Sequence, residues 1–263
     1  MSVLHIDDLT LHYEECGSGT PVLLIHGHPF DCTMWRPQLA AGINAHLIAP
    51  DLRNFGKTTS PSGPTGWSTY AHDLLRFADT LAIQSFAAVG LSMGGQIALE
   101  LAALAPDRLL GLVLCDTFAP VDTPEKRAGR LALAERLERE GMEPYANEVL
   151  PKMVCDSTIR TKPEVARELV DMMKRAPVRG AADALRARVQ RRDYVSLLPD
   201  IKLPSLIIVG EFDAFTPIPD AALMHNAIPG SELVVIKDAG HVTNLEQPQA
   251  FDQALGRFVN SLA

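Results

Sequence analysis

Six short apolar runs place the strongest constraint on how this chain can fold. A continuous apolar run of strand length is typical of a strand that is buried on both faces of a parallel sheet. The runs are residues 22–25, 47–49, 86–89, 109–114, 206–209 and 233–236. Segments with a helical spacing of apolar residues lie between them, so strand and helix alternate along the chain. This order predicts the α/β class, with a mostly parallel, doubly wound sheet.

The first fifteen residues have a different pattern, because apolar and polar positions alternate there. A period of two predicts a short antiparallel hairpin with one solvated face. The chain is therefore expected to begin with an antiparallel pair, which the parallel units follow. The helical patterns lie around residues 34–41, 69–81, 96–104, 220–227 and 248–262.

One long segment, residues 118–200, breaks the alternation of strand and helix. It contains no convincing buried strand, and it is divided into helical pieces by Pro124, Pro144, Pro151, Pro163 and Pro177. It carries 16 of the 24 Lys and Arg residues but 14 of the 32 Asp and Glu residues, so its charge is +2 and the rest of the chain has −10. We predict a helical cap here, inserted between residues 1–117 and 201–263 of one core, at the sheet edge where open α/β sheets bind ligands.

The composition excludes several broad classes of protein. A chain of 263 residues with 47% hydrophobic and 21% charged residues fits a globular domain. The net charge of −8 gives no basic surface for nucleic acid or an anionic membrane. The four cysteines lack CxxC spacing, and no signal peptide or membrane-spanning run is visible. We expect a cytoplasmic protein without a metal or other cofactor, and a homodimer stays open.

The segment GLSMGG at residues 90–95 is the strongest local signal. It follows one apolar run directly and precedes a helical pattern, which is the strand, turn and helix context of the G-x-S-x-G motif. Gly90 and Gly94 would let strand and helix approach closely, and the sharp turn would expose the hydroxyl of Ser92. The segment predicts a nucleophilic serine, whereas its alternative interpretation is a glycine-rich turn with an incidental serine.

A serine hydroxyl needs a general base beside it and an acid that orients the base. Asp213 and His241 each follow a predicted buried strand, so both should lie at the same sheet edge as Ser92. The order Ser, Asp, His is the order of such hydrolases. Asp116 also follows a strand and is a second candidate for the acid. We prefer Asp213 because it lies one strand before the loop of His241.

The segment HGHPF at residues 26–30 follows the first apolar run. Two histidines at positions i and i+2 could indicate a metal site, but no cysteine or carboxylate lies beside them in ligand spacing. The better hypothesis is a loop that supplies backbone donors for an oxyanion. The backbone N–H groups of His28 and Met93 are the predicted donors, since Met93 follows the nucleophile. His26 is expected to hold the loop through packing and hydrogen bonds.

Five segments in chain order resemble the α/β-hydrolase superfamily, and together they cover nearly the whole chain. They are HGHPF at 26–30, DLRNFGKT at 51–58, GLSMGG at 90–95, GEFDAFTP at 210–217 and DAGHVTNLEQP at 238–248. The resemblance implies the α/β-hydrolase fold, a triad of Ser92, Asp213 and His241, and a helical cap. The second segment departs from the DxRGxGxS pattern of the superfamily, at a loop that does no chemistry. Serine at position 92 disfavours members with an aspartate nucleophile.

The function that this resemblance implies is hydrolysis of carboxylic esters or lactones through an acyl-enzyme on Ser92. The HGxP start is similar to small esterases and cofactor-free perhydrolases, and the C-terminal segment is similar to 3-oxoadipate enol-lactonases. An enol-lactonase or a carbon–carbon bond hydrolase with an anionic substrate, a perhydrolase, and a hydrolase-like ligand-binding receptor stay open as alternatives.

The cap sequence does not assign substrate-binding residues. A cap arginine could bind a substrate carboxylate, or the arginines could form a solvated helix surface that pairs with acids of the cap. Apolar cap residues could pack in the core of the cap or line an acyl pocket. The basic candidates are Arg175, Arg179, Arg188, Arg191 and Arg192, and the apolar ones are Leu131, Leu133, Leu137, Met172 and Met173.

Overall fold

The alternating apolar runs form an eight-stranded sheet in a computed structural model, which describes residues 2–60 and 65–262. The strands are β1 (Ser2–Ile6), β2 (Leu9–Cys16), β3 (Pro21–Ile25), β4 (His46–Pro50), β5 (Phe86–Leu91), β6 (Leu109–Cys115), β7 (Ser205–Gly210) and β8 (Glu232–Ile236). Their order in the sheet is β1-β2-β4-β3-β5-β6-β7-β8. All six predicted strands are confirmed, and so is the antiparallel hairpin β1–β2. The predicted burial is wrong for β8, because it is an edge strand and Val235 is 40% exposed.

Only the pairs β1–β2 and β2–β4 are antiparallel among the described strands, and the other five pairs are parallel. The strand order reverses at β3, which lies between β4 and β5. The carboxyl ends of β3, β5, β6, β7 and β8 therefore meet at one edge of the sheet. A reversal of this kind leaves a crevice in which α/β proteins bind ligands.

Helices cover both faces of the sheet, as the sequence predicts. They are α1 (Arg36–Ala40), α2 (Trp67–Thr80), α3 (Met93–Leu104), α4 (Pro124–Glu140), α5 (Met142–Met153), α6 (Asp156–Thr161), α7 (Pro163–Arg175), α8 (Val178–Val189), α9 (Ile218–Ala227), α10 (Thr243–Glu246) and α11 (Pro248–Asn260). Short 3₁₀ helices span 32–35, 106–108 and 195–200. Each face has its own cluster of buried apolar side chains. No helix in the described part of the chain is both long and apolar enough to cross a membrane.

Between β6 and β7 the described chain contains helices and loops but no strand, so the segment 118–200 has the helical character that the sequence predicts. Its prolines mostly lie where a helix needs no backbone N–H donor. Pro124 and Pro163 are the first residues of α4 and α7, and Pro177 immediately precedes α8. The division into core and cap stays a prediction, and its outer ends, residues 1 and 263, lie outside the described residues.

The cap helices pack on one another and on the carboxyl edge of the sheet. Helix α4 packs along α8, and α5 packs along α7. Gly180 of α8 approaches the loop after β4 so closely that a Cβ atom would lie 1.8 Å from the carbonyl oxygen of Asn54. The Nε of Arg188 donates a hydrogen bond to Gln96 of α3 (3.1 Å). These contacts place α8 over the amino end of α3, next to the turn that carries Ser92.

Candidate active site

The turn between β5 and α3 holds Ser92 in a strained backbone conformation, with φ 56° and ψ −111°. A Cβ atom at Gly90 would lie 2.2 Å from the carbonyl oxygen of Gly94, and one at Gly94 would lie 2.1 Å from that of Ile25. Such distances are far below any van der Waals contact, so both positions require glycine. The structure thus confirms the sharp strand-to-helix turn that the sequence predicts.

Contacts with the end of β6 fix this turn in the sheet. The backbone N–H of Ser92 donates to the carbonyl of Cys115 (2.8 Å), and the hydroxyl of Thr117 donates to the carbonyl of Ser92 (2.7 Å). The residue Ser92 is only 7% exposed, so the expectation that the turn exposes its hydroxyl is wrong. Its hydroxyl is therefore held in a defined place instead of moving freely on a surface loop.

The imidazole of His241 lies between Ser92 and Asp213. Its Nε2 is 2.9 Å from the Oγ of Ser92, and its Nδ1 is 2.9 and 3.0 Å from the two carboxylate oxygens of Asp213. Because an acceptor faces Nδ1, this nitrogen carries the proton and leaves Nε2 free to accept one. The backbone N–H of His241 donates to the carbonyl of Met153 in α5 (2.8 Å), so the cap also positions the histidine loop.

The carboxylate of Asp213 is buried and accepts several hydrogen bonds. The backbone N–H groups of Phe215 and Thr216 donate to its Oδ1 at 2.8 and 3.0 Å. Burial alone would raise the pKa of Asp213, but the electrostatic interaction with His241 and hydrogen bonds from His241 and Thr216 outweigh it and lower the pKa to about 2. The carboxylate therefore stays ionised at neutral pH and can stabilise a protonated imidazole.

Asp116, the second candidate for the acid, has other partners. Its carboxylate accepts hydrogen bonds from the backbone N–H of Gly210 (2.9 Å) and from the hydroxyl of Thr243 (2.6 Å). Burial raises the pKa of Asp116 well above its usual value. Its hydrogen bonds join β6 to β7 and to α10, so this side chain braces the sheet edge, while Asp213 is the carboxylate that contacts His241.

The loop after β3 contains the two histidines of the HGHPF segment. The Nδ1 of His26 donates to the carbonyl of Gly27 (2.9 Å), and its Nε2 accepts from the backbone N–H of Leu52 (3.0 Å). His26 therefore ties the loop after β3 to the loop after β4, as expected. The Nε2 of His28 donates to the carbonyl of Ala181 in α8 (3.0 Å). Burial and the nearby charge of Arg188 lower the pKa of His28 to about 3, so its ring is neutral.

The predicted oxyanion donors are backbone groups that flank Ser92. Met93 is the first residue of α3, where a backbone N–H has no partner inside the helix. His28 lines the same cavity as Ser92. His28 thus lies at the cavity of Ser92 and Met93 adjoins Ser92 in the chain, and the role of their backbone amides as an oxyanion hole stays a prediction.

A cavity of about 280 Å³ lies between the sheet edge and the cap. The core contributes Ser92, His241 and His28 to its wall, together with the loop after β7. The cap contributes apolar, aromatic and basic side chains, which are Phe118, Lys126, Arg130, Leu133, Tyr145, Met153, Leu185 and Arg188. A small organic molecule could thus reach the serine hydroxyl while the cap contacts the rest of it.

A sequence model of the alpha/beta hydrolase fold family matches residues 20–248 of this chain. The chain belongs to that family. The match includes every strand from β3 to β8, the turn at Ser92 and both loops that carry Asp213 and His241. It also includes the cap region, so the site described above lies entirely inside the matched segment.

This α/β hydrolase is similar to curated enzymes and to solved structures over nearly its full length. It is 30% identical to 3-oxoadipate enol-lactonase 1 of Acinetobacter baylyi, over 88% of this chain and 85% of the relative. A thermophilic esterase from Thermogutta terrifontis, solved with malate bound, superposes with a TM-score of 0.96 at 38% identity, covering 100% of this chain and 99% of the other. The enol-lactonase of Burkholderia xenovorans LB400 superposes with a TM-score of 0.90 at 30% identity, covering 98% and 100%.

In this α/β hydrolase, the sequence predicted the cap residues that line the cavity less well than the residues around Ser92. Among the five basic candidates only Arg188 lines the cavity, and among the apolar candidates only Leu133 does. Lys126, Arg130 and Tyr145 also line it but were not among the candidates. Their position depends on how α4, α5 and α8 pack, for which the helical spacing gives no signal.

A second group of functional side-chain types, His12, Cys32 and Asp51, lies together on the other side of the loop after β3. Their ligand-type atoms are within 4.8 Å of one another, an arrangement that the sequence spacing did not reveal. Asp51 already accepts hydrogen bonds from His12 (3.1 Å) and from the backbone N–H groups of Cys32 (2.7 Å) and Lys57 (2.8 Å). These bonds account for the cluster as a support for the loops around the cavity.

Proposed function

We propose that this α/β hydrolase cleaves carboxylic esters or lactones through an acyl-enzyme on Ser92. The observation that most strongly supports this proposal is the continuous set of contacts from the Ser92 hydroxyl through His241 to the buried carboxylate of Asp213. Such an array supplies a nucleophile, a general base and a group that orients the base. The enol-lactonase and esterase relatives support this proposal, because lactones and carboxylic esters contain the same type of bond.

In the first half of the proposed reaction, His241 Nε2 takes the proton of Ser92 as the Oγ attacks the substrate carbonyl carbon. The oxyanion that forms is stabilised by the backbone N–H groups of His28 and Met93. The tetrahedral intermediate then breaks its bond to the leaving oxygen, which receives the proton from His241. An ester releases an alcohol at this point, whereas the hydroxyl of an opened lactone stays attached to the acyl group.

In the second half, water attacks the acyl carbon while His241 takes one of its protons. The new intermediate expels the Ser92 oxygen, which recovers that proton from His241, and the carboxylic acid leaves. Asp213 stabilises the protonated imidazole in both halves and remains ionised. Side chains, backbone amides and water carry every step, so the proposed reaction needs no cofactor.

A parallel substrate panel tests this assignment. We expect the purified protein to hydrolyse short-chain p-nitrophenyl esters or a simple lactone, with Ser92→Ala as the inactive control. The same panel includes a dienone for carbon–carbon cleavage and hydrogen peroxide as acyl acceptor for perhydrolysis. Turnover of the dienone or peroxide mixture alone would replace the ester assignment with the corresponding reaction.

A fluorophosphonate probe distinguishes an enzyme from a ligand-binding receptor on the same fold. The probe phosphonylates an activated serine and loses fluoride, so peptide mapping should find the adduct on Ser92 and none in Ser92→Ala. A protein that binds ligands but never reacts with the probe would contradict the proposed nucleophile.

A further inference from the structure

From the cap side of the cavity we infer that Arg188 binds a free carboxylate of the substrate, so that the preferred substrates are monoesters or lactones of short dicarboxylic acids. This inference rests on the proposed ester and lactone hydrolysis and specifies its substrate class. Three observations support this inference. Arg188 is buried, it has no acidic partner among the described residues, and it lines the same cavity as Ser92.

Arg188 is a buried cation without an anionic partner. Its side chain lines the cavity, and the residue is only 7% exposed. Within residues 2–60 and 65–262 it forms no ion pair, and the only hydrogen bond found for its side chain runs from Nε to the Oε1 of Gln96 (3.1 Å). Burying an unpaired charge is unfavourable, so such a group is retained where an anion completes the site.

Other arginines in and near the cap have partners of their own, whereas Arg127, Arg160 and Arg167 are exposed. Arg175 pairs with Asp31 (2.9 Å), Arg186 with Glu138 (2.6 Å) and Arg192 with Glu100 (3.0 Å). Arg191 is also buried, but it donates to the backbone carbonyls of Ala119 (2.9 Å) and Pro120. The free guanidinium edge of Arg188 is therefore a specific feature of the cavity and not a general property of the cap.

Among the charges around the cavity, Arg188 is the buried cation without an acidic partner in the described chain, whereas Lys126 is exposed. Arg130 also faces the cavity, but Asp122 neutralises it through two hydrogen bonds of 2.6 and 3.0 Å. The ammonium of Lys126 lies over the ring of Phe118, 5.4 Å from its centroid. His28 is neutral, as described above. The cavity thus has excess positive charge, and Asp122 is already committed to Arg130.

Gln96 holds the guanidinium of Arg188 against the helix that begins after Ser92. Gln96 follows Ser92 by four residues in α3, which is about one helical turn or about 5–6 Å along the helix axis. Its amide holds the Nε of Arg188, so the two terminal nitrogens of the guanidinium remain available. Because Arg188 and Ser92 line one cavity of about 280 Å³, a substrate with a short acyl chain can contact both, and the acyl groups to test are those of dicarboxylic acids with about four to six carbons.

The test compares matched substrates that differ only in charge. Monomethyl succinate, glutarate and adipate are compared with the corresponding methyl esters that end in a neutral carboxamide, and released acid is measured by pH-stat. We expect the wild-type protein to prefer one of the carboxylate esters by about 10- to 100-fold in kcat/KM. Arg188→Met should remove this preference by lowering kcat/KM for the carboxylate ester much more than kcat/KM for the neutral ester, since Met keeps much of the apolar stem.

Two control variants separate charge from folding. Arg188→Lys keeps a positive charge and should restore part of the preference, whereas Arg167→Gln, on the exposed face of α7, should leave it unchanged. A further assay needs no Arg188 variant. Glutarate should inhibit the hydrolysis of the neutral ester more strongly than glutaramide does. Equal rates on charged and neutral esters, with no inhibition by glutarate, would overturn the inference while leaving ester hydrolysis intact.

Binding to the Ser92→Ala variant keeps the two proposals distinguishable. We expect calorimetry to detect binding of monomethyl glutarate to Ser92→Ala and a loss of at least about tenfold in affinity in the double variant with Arg188→Met. Arg188-dependent binding in a protein that hydrolyses none of the esters would contradict the proposed function but support the carboxylate site. Ester hydrolysis that does not depend on Arg188 would support the proposed function and contradict the carboxylate site.

Discussion

At the scale of single residues, the account depends on which carboxylate orients His241. Replacement of Asp213 by Asn removes the negative charge and presents an amide to Nδ1, which favours the wrong tautomer. We expect kcat for a short-chain ester to fall by about 10³- to 10⁴-fold in Asp213→Asn. Asp116→Asn is the matched comparison and should cost less than about tenfold, because Asp116 braces Gly210 and Thr243 instead. The reverse ranking of the two variants in steady-state kinetics would assign the acid to Asp116.

The same residue predicts how the stability of the protein responds to acid. The pKa of Asp213 is lowered from 3.8 to about 2 on folding, so its contribution to stability is present above the unfolded pKa and is lost as the pH falls from about 4 to about 2. The shift corresponds to about 2 kcal/mol of unfolding free energy. Urea unfolding at a series of pH values should show a weaker acid dependence in Asp213→Asn than in the wild type. Identical slopes for the two proteins would contradict the lowered pKa.

At the scale of elements, the turn between β5 and α3 is the most demanding local structure. Gly94→Ala would place a methyl group 2.1 Å from the carbonyl oxygen of Ile25, and backbone atoms must move to relieve this contact. We expect a destabilisation of about 3 kcal/mol or more, measured by chemical denaturation. Gly256→Ala in α11 is the control, since no atom lies within 4 Å of its Cβ position. It should stabilise the protein by about 0.5–1 kcal/mol. Tolerance of alanine at position 94 would contradict the close approach.

The sequence predicted these elements because their signals are local. Apolar runs identify strands that are buried on both faces, and the glycines around Ser92 identify a turn that other residues cannot form. Asp213 and His241 could be placed at one edge because parallel strands end together, and the structure brings both to Ser92. The sequence could not predict that the guanidinium of Arg188 has no acidic partner in the described chain. This outcome depends on which acids of the cap reach which arginines, and this follows from tertiary packing rather than from spacing along the chain.

At the scale of the whole molecule, the cap and the core are joined by a buried carboxylate. Glu246 is fully buried in α10 and accepts hydrogen bonds from the backbone N–H of Cys155 (2.8 Å) and the hydroxyl of Thr158 (2.7 Å) in the cap. It also accepts from the backbone N–H of Gly240 (2.6 Å), the residue before His241. One side chain thus connects the cap to the loop that carries the general base.

Glu246→Gln tests this connection with little change in shape. The amide has one acceptor oxygen, so at least one of the buried donors loses its partner. We expect a loss of about 1–3 kcal/mol in the free energy of unfolding, measured by urea denaturation. Glu232→Gln on the exposed end of β8 is the control and should change stability by less than about 0.5 kcal/mol. Equal stabilities of the two variants would show that Glu246 does not link cap and core.

The nucleophilic role of Ser92 is the central claim of this account, and the turnover of p-nitrophenyl butyrate by wild type and Ser92→Ala measures it most directly. The account predicts hydrolysis by the wild type and a loss of kcat of about 10⁴- to 10⁶-fold in the variant, with an unchanged unfolding transition. An unchanged rate of hydrolysis in Ser92→Ala would contradict it.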